Sequence, residues 1–227
     1  IDLAQVEMKR RDYAAAEAAA RRAVALDEFA KEAHFVRSNA LKRLGRREES
    51  REVLDRFRAL DQQLDKIEDQ LRMLGNEPGD HEARAQLGLL YTQQGRFAEA
   101  AEAYRLAARI APDSLRYRKN LGNLYLRLGQ LDEAVVEYRA AIELDSGYEK
   151  AHYNLGQAYM RLQRFDEALQ SLQVARGLAP EDVEVNYFLG LLYARVGAFD
   201  KAAEVLAVAV AGKPDFIDAR QKLAVAY

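Results

Sequence analysis

Apolar positions along this chain return every 34 residues, and within each period they follow the spacing of a helix buried on one side. A Leu-Gly-x-x-Tyr block stands at Leu87-Gly88-Tyr91, Leu121-Gly122-Tyr125, Leu155-Gly156-Tyr159 and Leu189-Gly190-Tyr193. At fixed offsets behind it come Phe97, Leu131, Phe165 or Phe199, then Ala100, Ala134, Ala168 or Ala202. A larger apolar residue follows (Tyr104, Tyr138, Leu172, Leu206), and then a second alanine (Ala107, Ala141, Ala175, Ala209). Pro112, Pro180 and Pro214 close three of the periods, with Ser146 in that place in the other. In the period that starts at Glu149 these signals predict a first helix to about Leu162 and a second from Phe165 or Asp166 to Gly177. Glycine inside a helix costs roughly 1 kcal/mol relative to alanine. Gly88, Gly122, Gly156 and Gly190 therefore imply a steric demand, which we place at a close approach of the second helix through Ala100, Ala134, Ala168 and Ala202.

Four full periods cover 81–114, 115–148, 149–182 and 183–216, and 217–227 supplies a further first helix or cap in which Leu223, Ala224 and Tyr227 match again. Residues 1–30 fit a partial unit through Tyr13, Ala16, Ala20 and Ala23. Residues 31–75 fit a degenerate one that keeps Leu41, Gly45 and Leu54 but has Arg37-Ser38 in place of Leu-Gly. From there to the next unit the spacing is 50 residues, a 16-residue excess. No Gly or Pro interrupts the stretch between Gly45 and Gly75, where Leu54, Phe57, Leu60, Leu64, Ile67, Leu71 and Leu74 alternate by threes and fours. This predicts a second helix lengthened by about 24 Å at 1.5 Å per residue, ended by the loop 76–80 with Pro78 and Gly79. A break near Leu60-Asp61, which aligns with Leu26-Asp27 and Leu144-Asp145 at ordinary unit ends, would instead split it in two. Its apolar stripe from Leu54 to Leu74 either packs on the chain's own array or offers a seam to a second chain.

Period and slots together resemble the tetratricopeptide repeat (TPR) closely. The resemblance covers the four periods strongly and the first 75 residues more loosely. It implies an all-α fold, a right-handed α-α superhelix or TPR solenoid of antiparallel helix pairs, in which each repeat packs only on its neighbours. It also implies that first helices line a groove, with the positions before the Leu and after the Gly pointing into it. Those positions hold Gln86, Asn120, Asn154 and Phe188 directly before the Leu, and Ala85, Lys119, Tyr153 and Tyr187 two before. Leu89, Asn123, Gln157 and Leu191 stand just after the Gly. A carboxamide both donates and accepts, as a peptide group requires, so Gln86, Asn120 and Asn154 are similar to the asparagine ladders with which some members bind peptide backbone. Tyr153, Tyr187 and Phe188 would form side-chain pockets. Arg116, Lys119, Arg127, Lys150, Arg161 and Arg195 fall on or beside the same face, opposed by Glu82, Glu184 and Asp218. Lys119, Asn123 and Asn154 also resemble three of the five residues with which chaperone-binding members clamp a C-terminal carboxylate. Glu184 and Phe188 stand where two basic residues belong, which argues against that particular ligand.

Composition narrows the field further. The chain has 227 residues, 31% of them charged, and a formal charge of −2. Residues 1–80 carry 16 Lys+Arg against 17 Asp+Glu and the rest 18 against 19, so no basic region invites nucleic acid. There is no cysteine, hence no disulfide, thiolate metal site or cysteine nucleophile. His34, His81 and His152 are far apart in sequence, and the pair His152 and Glu149 reads as surface packing. Phosphate loops, dinucleotide-fold glycines, HExxH and GxSxG are missing. No cofactor, metal or catalysis is expected, and no apolar run reaches the roughly 20 residues of a membrane helix. The chain begins at Ile1 rather than Met and stops inside a repeat, so a piece of a longer or processed protein is expected; the cytoplasm is favoured, with export left open. The expected function is a non-catalytic protein-interaction scaffold that binds an extended, acidic or carboxylate-bearing peptide or partner segment. The alternatives are self-assembly through the Leu54 to Leu74 helix or the C-terminal end, and a targeting arm of a larger enzyme.

Overall fold

A computed structural model describes residues 1–226. Tyr227, which the sequence pattern assigns to the last first-helix, lies outside the described residues. All regular structure among them is helical. The chain divides into two compact blocks, residues 1–96 and 97 onward, the division falling between the two helices of the period 81–114.

The N-terminal block contains α1 (Asp2–Arg10), α2 (Tyr13–Leu26), α3 (Lys31–Arg43), α4 (Arg47–Asn76) and α5 (His81–Gln93), each packed on the next. The degenerate slots are compensated locally. Ser38 and Ser50 replace the usual glycine and alanine twelve residues apart, and they exchange buried bonds: Ser38 Oγ donates to the Ser50 carbonyl at 3.0 Å and Ser50 Oγ to the Ser38 carbonyl at 2.9 Å. Arg37, in the leucine slot, donates from Nε to the buried carboxylate of Glu17 on α2 at 3.1 Å. Satisfying these buried polar groups keeps the departures from the apolar pattern tolerable.

Helix α4 is a single helix of 30 residues. Asp27 and Asp145 end their helices in Asx turns, each carboxylate accepting the backbone N–H two residues on, from Phe29 at 2.9 Å and from Gly147 at 3.0 Å. The carboxylate of Asp61 instead takes Lys31 Nζ of α3 at 2.8 Å, and the Gln62-Gln63-Leu64 that follows consists of good helix formers. Nothing there competes with the helical backbone, so it continues. Leu60 and Ile67 are buried within the block, Leu54, Phe57, Leu64 and Leu74 are half-buried, and Leu71 is half exposed.

The C-terminal block contains α6 (Phe97–Ile110), α7 (Leu115–Leu128), α8 (Leu131–Leu144), α9 (Glu149–Arg161), α10 (Phe165–Leu178), α11 (Val183–Arg195), α12 (Phe199–Gly212) and α13 (Ile217–Ala226). Contacts between α7 and α9, α9 and α11, and α11 and α13 set the first helices side by side in one layer. The second helices pack behind them, and Ala100, Ala134, Ala168 and Ala202 are fully buried. The turn inside each pair needs one left-handed residue: Gly45, Gly95, Gly129 and Gly197 supply it, with φ of 69° to 79°. Gln163 takes the same slot at φ 60° without being glycine. In each such turn of the regular periods a backbone N–H five residues on closes onto the carbonyl of the motif tyrosine, as from Gln130 to Tyr125 and from Arg164 to Tyr159, both at 2.9 Å.

The mid-helix glycines meet a different partner from the one the sequence suggested. A Cβ on Gly156 would lie 2.6 Å from Leu172 Cγ, and one on Gly190 would lie 2.5 Å from Leu206 Cγ. On Gly122 it would lie 2.8 Å from the Tyr138 ring. The approach is therefore to the large apolar residue of the second helix, and Ala168 contributes only its carbonyl at 3.5 Å. Gly88 is buried on α5. Gly177, near the end of α10, has open space around it. Gly156→Ala is expected to lower stability by about 1–2 kcal/mol, as overpacking of 1–3 kcal/mol exceeds the helix-propensity gain of about 1. Gly177→Ala is expected to raise it by about 0.5–1 kcal/mol. Urea titration of the two variants side by side checks this, and equal effects would refute the packing argument.

Candidate functional site

The first-helix layer of the C-terminal block carries most of the residues that the groove reading selects, and the structure sorts them into structural and uncommitted groups. One variable slot is wholly structural. The side chain three before each motif leucine reaches back six residues to a loop carbonyl: Arg84 to Pro78 (2.7 Å), Arg118 to Pro112 (3.3 Å), His152 to Ser146 (3.1 Å) and Asn186 to Pro180 (2.7 Å). His34 does the same to Glu28 at 2.9 Å. Three side-chain types do one job, tying the inter-repeat loop to the helix that follows it. This gives His152 a partner that has nothing to do with Glu149.

The arginines five residues past the motif glycine are also committed. Arg127 lies over the Phe97 ring at 4.4 Å and Arg195 over the Phe165 ring at 4.8 Å, while Arg161 Nη1 donates to the Leu126 carbonyl at 2.6 Å. These contacts tie each first helix to the repeat before it, so three of the six predicted cations are held by neighbours. Arg116 lies over Tyr117 at 4.9 Å and donates to its hydroxyl. Lys119 and Lys150 form no ion pair among the described residues, and Lys150 is exposed.

The carboxamides divide in a way that the 34-residue spacing does not suggest. Gln86, in the N-terminal block, donates to Glu82 on its own helix at 3.1 Å. Asn120 is half-buried on α7 and makes no side-chain hydrogen bond among the described residues. Asn123 and Asn154, 31 residues apart, are joined directly, Asn154 Nδ2 donating to Asn123 Oδ1 at 3.0 Å. The same Oδ1 accepts the hydroxyl of Tyr138 at 2.7 Å. That phenol belongs to a fully buried ring on α8 and is pushed far above the usual tyrosine range by burial. Tyr138 thus holds Asn123 from below, and Asn123 holds Asn154.

The 31-residue stagger recurs towards the C-terminal end. Tyr153 donates its hydroxyl to Glu184 at 3.2 Å, and Tyr187 donates to Asp218. In these three pairs a side chain of one first helix meets the residue one turn earlier on the next first helix, which is 34 less 3. Burial, together with Asp218 as acceptor, pushes the Tyr187 phenol up to about 12; burial and Glu184 push Tyr153 upward as well. Phe188 sits edge-on to both, with ring centroids 5.7 Å from Tyr153 and 5.4 Å from Tyr187, and Phe216 lies 4.6 Å from Tyr187. Phe216 was missed by the sequence reading because it stands in a loop before α13, outside any repeat slot singled out. Gln157 lies on α9, half-buried, one turn beyond Tyr153.

Two layers of paired helices, whose first-helix face carries uncommitted amides and aromatic rings, define a helical-repeat scaffold for protein interaction. Two family models match: one described as TPR repeat at residues 88–129 and 122–163, the other as tetratricopeptide repeat at 1–65 and 153–215. The chain belongs to the tetratricopeptide repeat family. Among solved structures it is similar to the MamA protein at 28% identity (TM-score 0.63, covering 65% of this chain and 80% of that one). It is also similar to YrrB, a TPR protein with an unusual peptide-binding site, at 20% identity (TM-score 0.61, 89% and 96%). A third is MamA 41-end from Desulfovibrio magneticus RS-1, at 19% identity (TM-score 0.59, 82% and 96%). No curated protein matches the chain. No helix among the described residues is long and apolar enough to cross a membrane.

Proposed function

We propose that the chain is a non-catalytic interaction scaffold whose first-helix face, centred on Lys119, Asn120, Asn123, Lys150 and Asn154, receives an extended peptide segment carrying an acidic side chain or a terminal carboxylate. The observation that supports this reading is the anchored amide pair. With Asn123 Oδ1 taken by Tyr138 and Asn154 Nδ2, the pair presents Asn123 Nδ2 as donor and Asn154 Oδ1 as acceptor, the complement of one peptide group. Because Tyr138 fixes the pair beforehand, little rotamer freedom is lost when the ligand arrives. Asn120 adds an unpaired amide on α7, and Lys119 and Lys150 supply unpaired positive charge on adjacent first helices. YrrB is a peptide-binding protein of the same fold; the reading for this chain rests on its own side chains.

Each amide contributes about 0.5–1.5 kcal/mol net, so the pair orients a peptide more than it holds one. Asn120→Ala/Asn154→Ala is expected to weaken binding of an acidic peptide roughly tenfold, the equivalent of about 1.4 kcal/mol. Fluorescence titration of the labelled peptide against both proteins tests this, and equal affinity would overturn the proposal.

A further inference from the structure

Several aromatic rings in the C-terminal block are already served by a cation of the chain itself. Arg127 covers Phe97, Arg116 covers Tyr117, Arg164 covers Tyr159, Arg195 covers Phe165 and Lys201 covers Tyr193, all within 4.4–5.8 Å of the ring centroid. Tyr153, Tyr187 and Phe188 are the contrast. They are half-buried rings packed edge to face on the first-helix face, and no Lys or Arg lies over any of them among the described residues. The charges set against them are negative: Glu184 accepts from Tyr153 and Asp218 from Tyr187, and neither carboxylate has an ion-pair partner among the described residues. The negative potential is felt nearby, where the Glu149 carboxyl is raised by burial and then by Asp182 and Glu184. Lys213 is drawn to the rim of the cluster, 5.7 Å from the Phe216 ring, and leaves the other three rings uncovered.

A ring face attracts a cation through its quadrupole, and a carboxylate beside it adds a charge-assisted bond. We infer that the α11 end of this face is a seat for a basic side chain, so that the ligand is a bipolar extended peptide. Its acidic group lies near Lys119 and Lys150, and an arginine or lysine lies against Tyr153, Tyr187 and Phe188 between Glu184 and Asp218. This rests on the peptide-binding reading above and adds its sequence requirement. Neighbouring helices stand about 8–10 Å apart, and an extended chain advances about 3.3 Å per residue. Two helix spacings, from between α7 and α9 to between α11 and α13, therefore place the two charges about six residues apart. The seat also gives Glu184 and Phe188 a role at the two positions where a carboxylate clamp would need basic residues: they face the opposite charge.

The test uses the full chain and four labelled peptides with a Ser/Ala background: Asp and Arg six positions apart, the same with Arg→Ala, the same with Asp→Ala, and the bipolar peptide in reversed order. Fluorescence anisotropy at low and physiological salt reads affinity. The bipolar peptide is expected to bind at least tenfold tighter than either single-charge peptide and tighter than its reversal. Glu184→Gln/Asp218→Asn and Phe188→Ala are expected to abolish the advantage conferred by Arg, so that each variant binds the bipolar and the Asp-only peptide equally, with circular dichroism confirming that each variant is folded. If the Asp-only peptide binds as well as the bipolar one, the seat is refuted and the peptide-binding reading stands. If no peptide binds, both are refuted. If sedimentation shows an oligomer that Glu184→Gln/Asp218→Asn dissociates, the occupant is a basic side chain of a second copy, and the peptide proposal is overturned.

Discussion

Tyr138→Ala is expected to destabilise the C-terminal block by about 3–5 kcal/mol, the range for deleting a fully buried aromatic side chain. Tyr138 has no exposed surface, and its ring rests on Gly122 so closely that a methyl group there would sit 2.8 Å from it. Its hydroxyl also has a partner to lose, because Asn123 Oδ1 would keep only the bond from Asn154. Helices on both sides hold the site open, so it cannot collapse fully around an alanine, and a cavity remains. Tyr138→Phe separates the two contributions. It keeps the ring and removes the hydroxyl, for a loss of about 1 kcal/mol, and it releases the amide pair from its anchor. Urea denaturation of the three proteins checks the first expectation through the shift in midpoint at constant slope. Peptide titration of the Phe variant checks the second. A loss below about 1.5 kcal/mol for Tyr138→Ala would mean that the ring is not the packing element described here.

Tyr138 also shows where reading the repeat alone stops. The period located the helices of the C-terminal block to within a residue or two at Glu149–Arg161 and Phe165–Leu178, because Gly, Pro and the apolar spacing report local backbone preference. Which slots face a ligand was less legible. A 34-residue alignment pairs Asn120 with Asn154, but the hydrogen-bonded side chains that join neighbouring first helices are displaced by one turn and meet at 31. That displacement belongs to packing between helices and leaves no mark on the period. The variable slots carried a second ambiguity. Arg84, Arg118, His152 and Asn186 differ in chemistry yet serve the same loop, and Arg127, Arg161 and Arg195 resemble a free basic stripe until their neighbours are seen. Composition lists the donors; only the fold shows which are already in use. On the aromatic side, the sequence named Tyr153, Tyr187 and Phe188 and placed Glu184 and Asp218 beside the same face; it missed Phe216 and the pairing of each phenol with one carboxylate.

Gln62→Pro is expected to cost about 3 kcal/mol or more by breaking α4 where the sequence first suggested a break. Gln62 is exposed, so no packed side chain is lost and the effect is confined to the backbone. Proline removes the N–H that bonds four residues back and drives its ring against that carbonyl. It also pushes Asp61 away from helical geometry, which would pull its carboxylate from Lys31. Gln62→Ala is the control and is expected to be neutral or slightly stabilising, since alanine is the better helix former. Asp61→Asn tests a different contribution: it removes the charge that pairs with Lys31, and as this ion pair is partly exposed it should shift stability by about 1 kcal/mol or less. Amide exchange along residues 47–76 gives the most direct reading. In the native chain protection should run continuously through residue 61, with Leu60 and Ile67 buried on either side; in Gln62→Pro it should fall off around the substitution. If the proline variant is as stable as the control, the segment is in effect two helices that meet at Asp61, and the excess 16 residues are an inserted helix and not an extension.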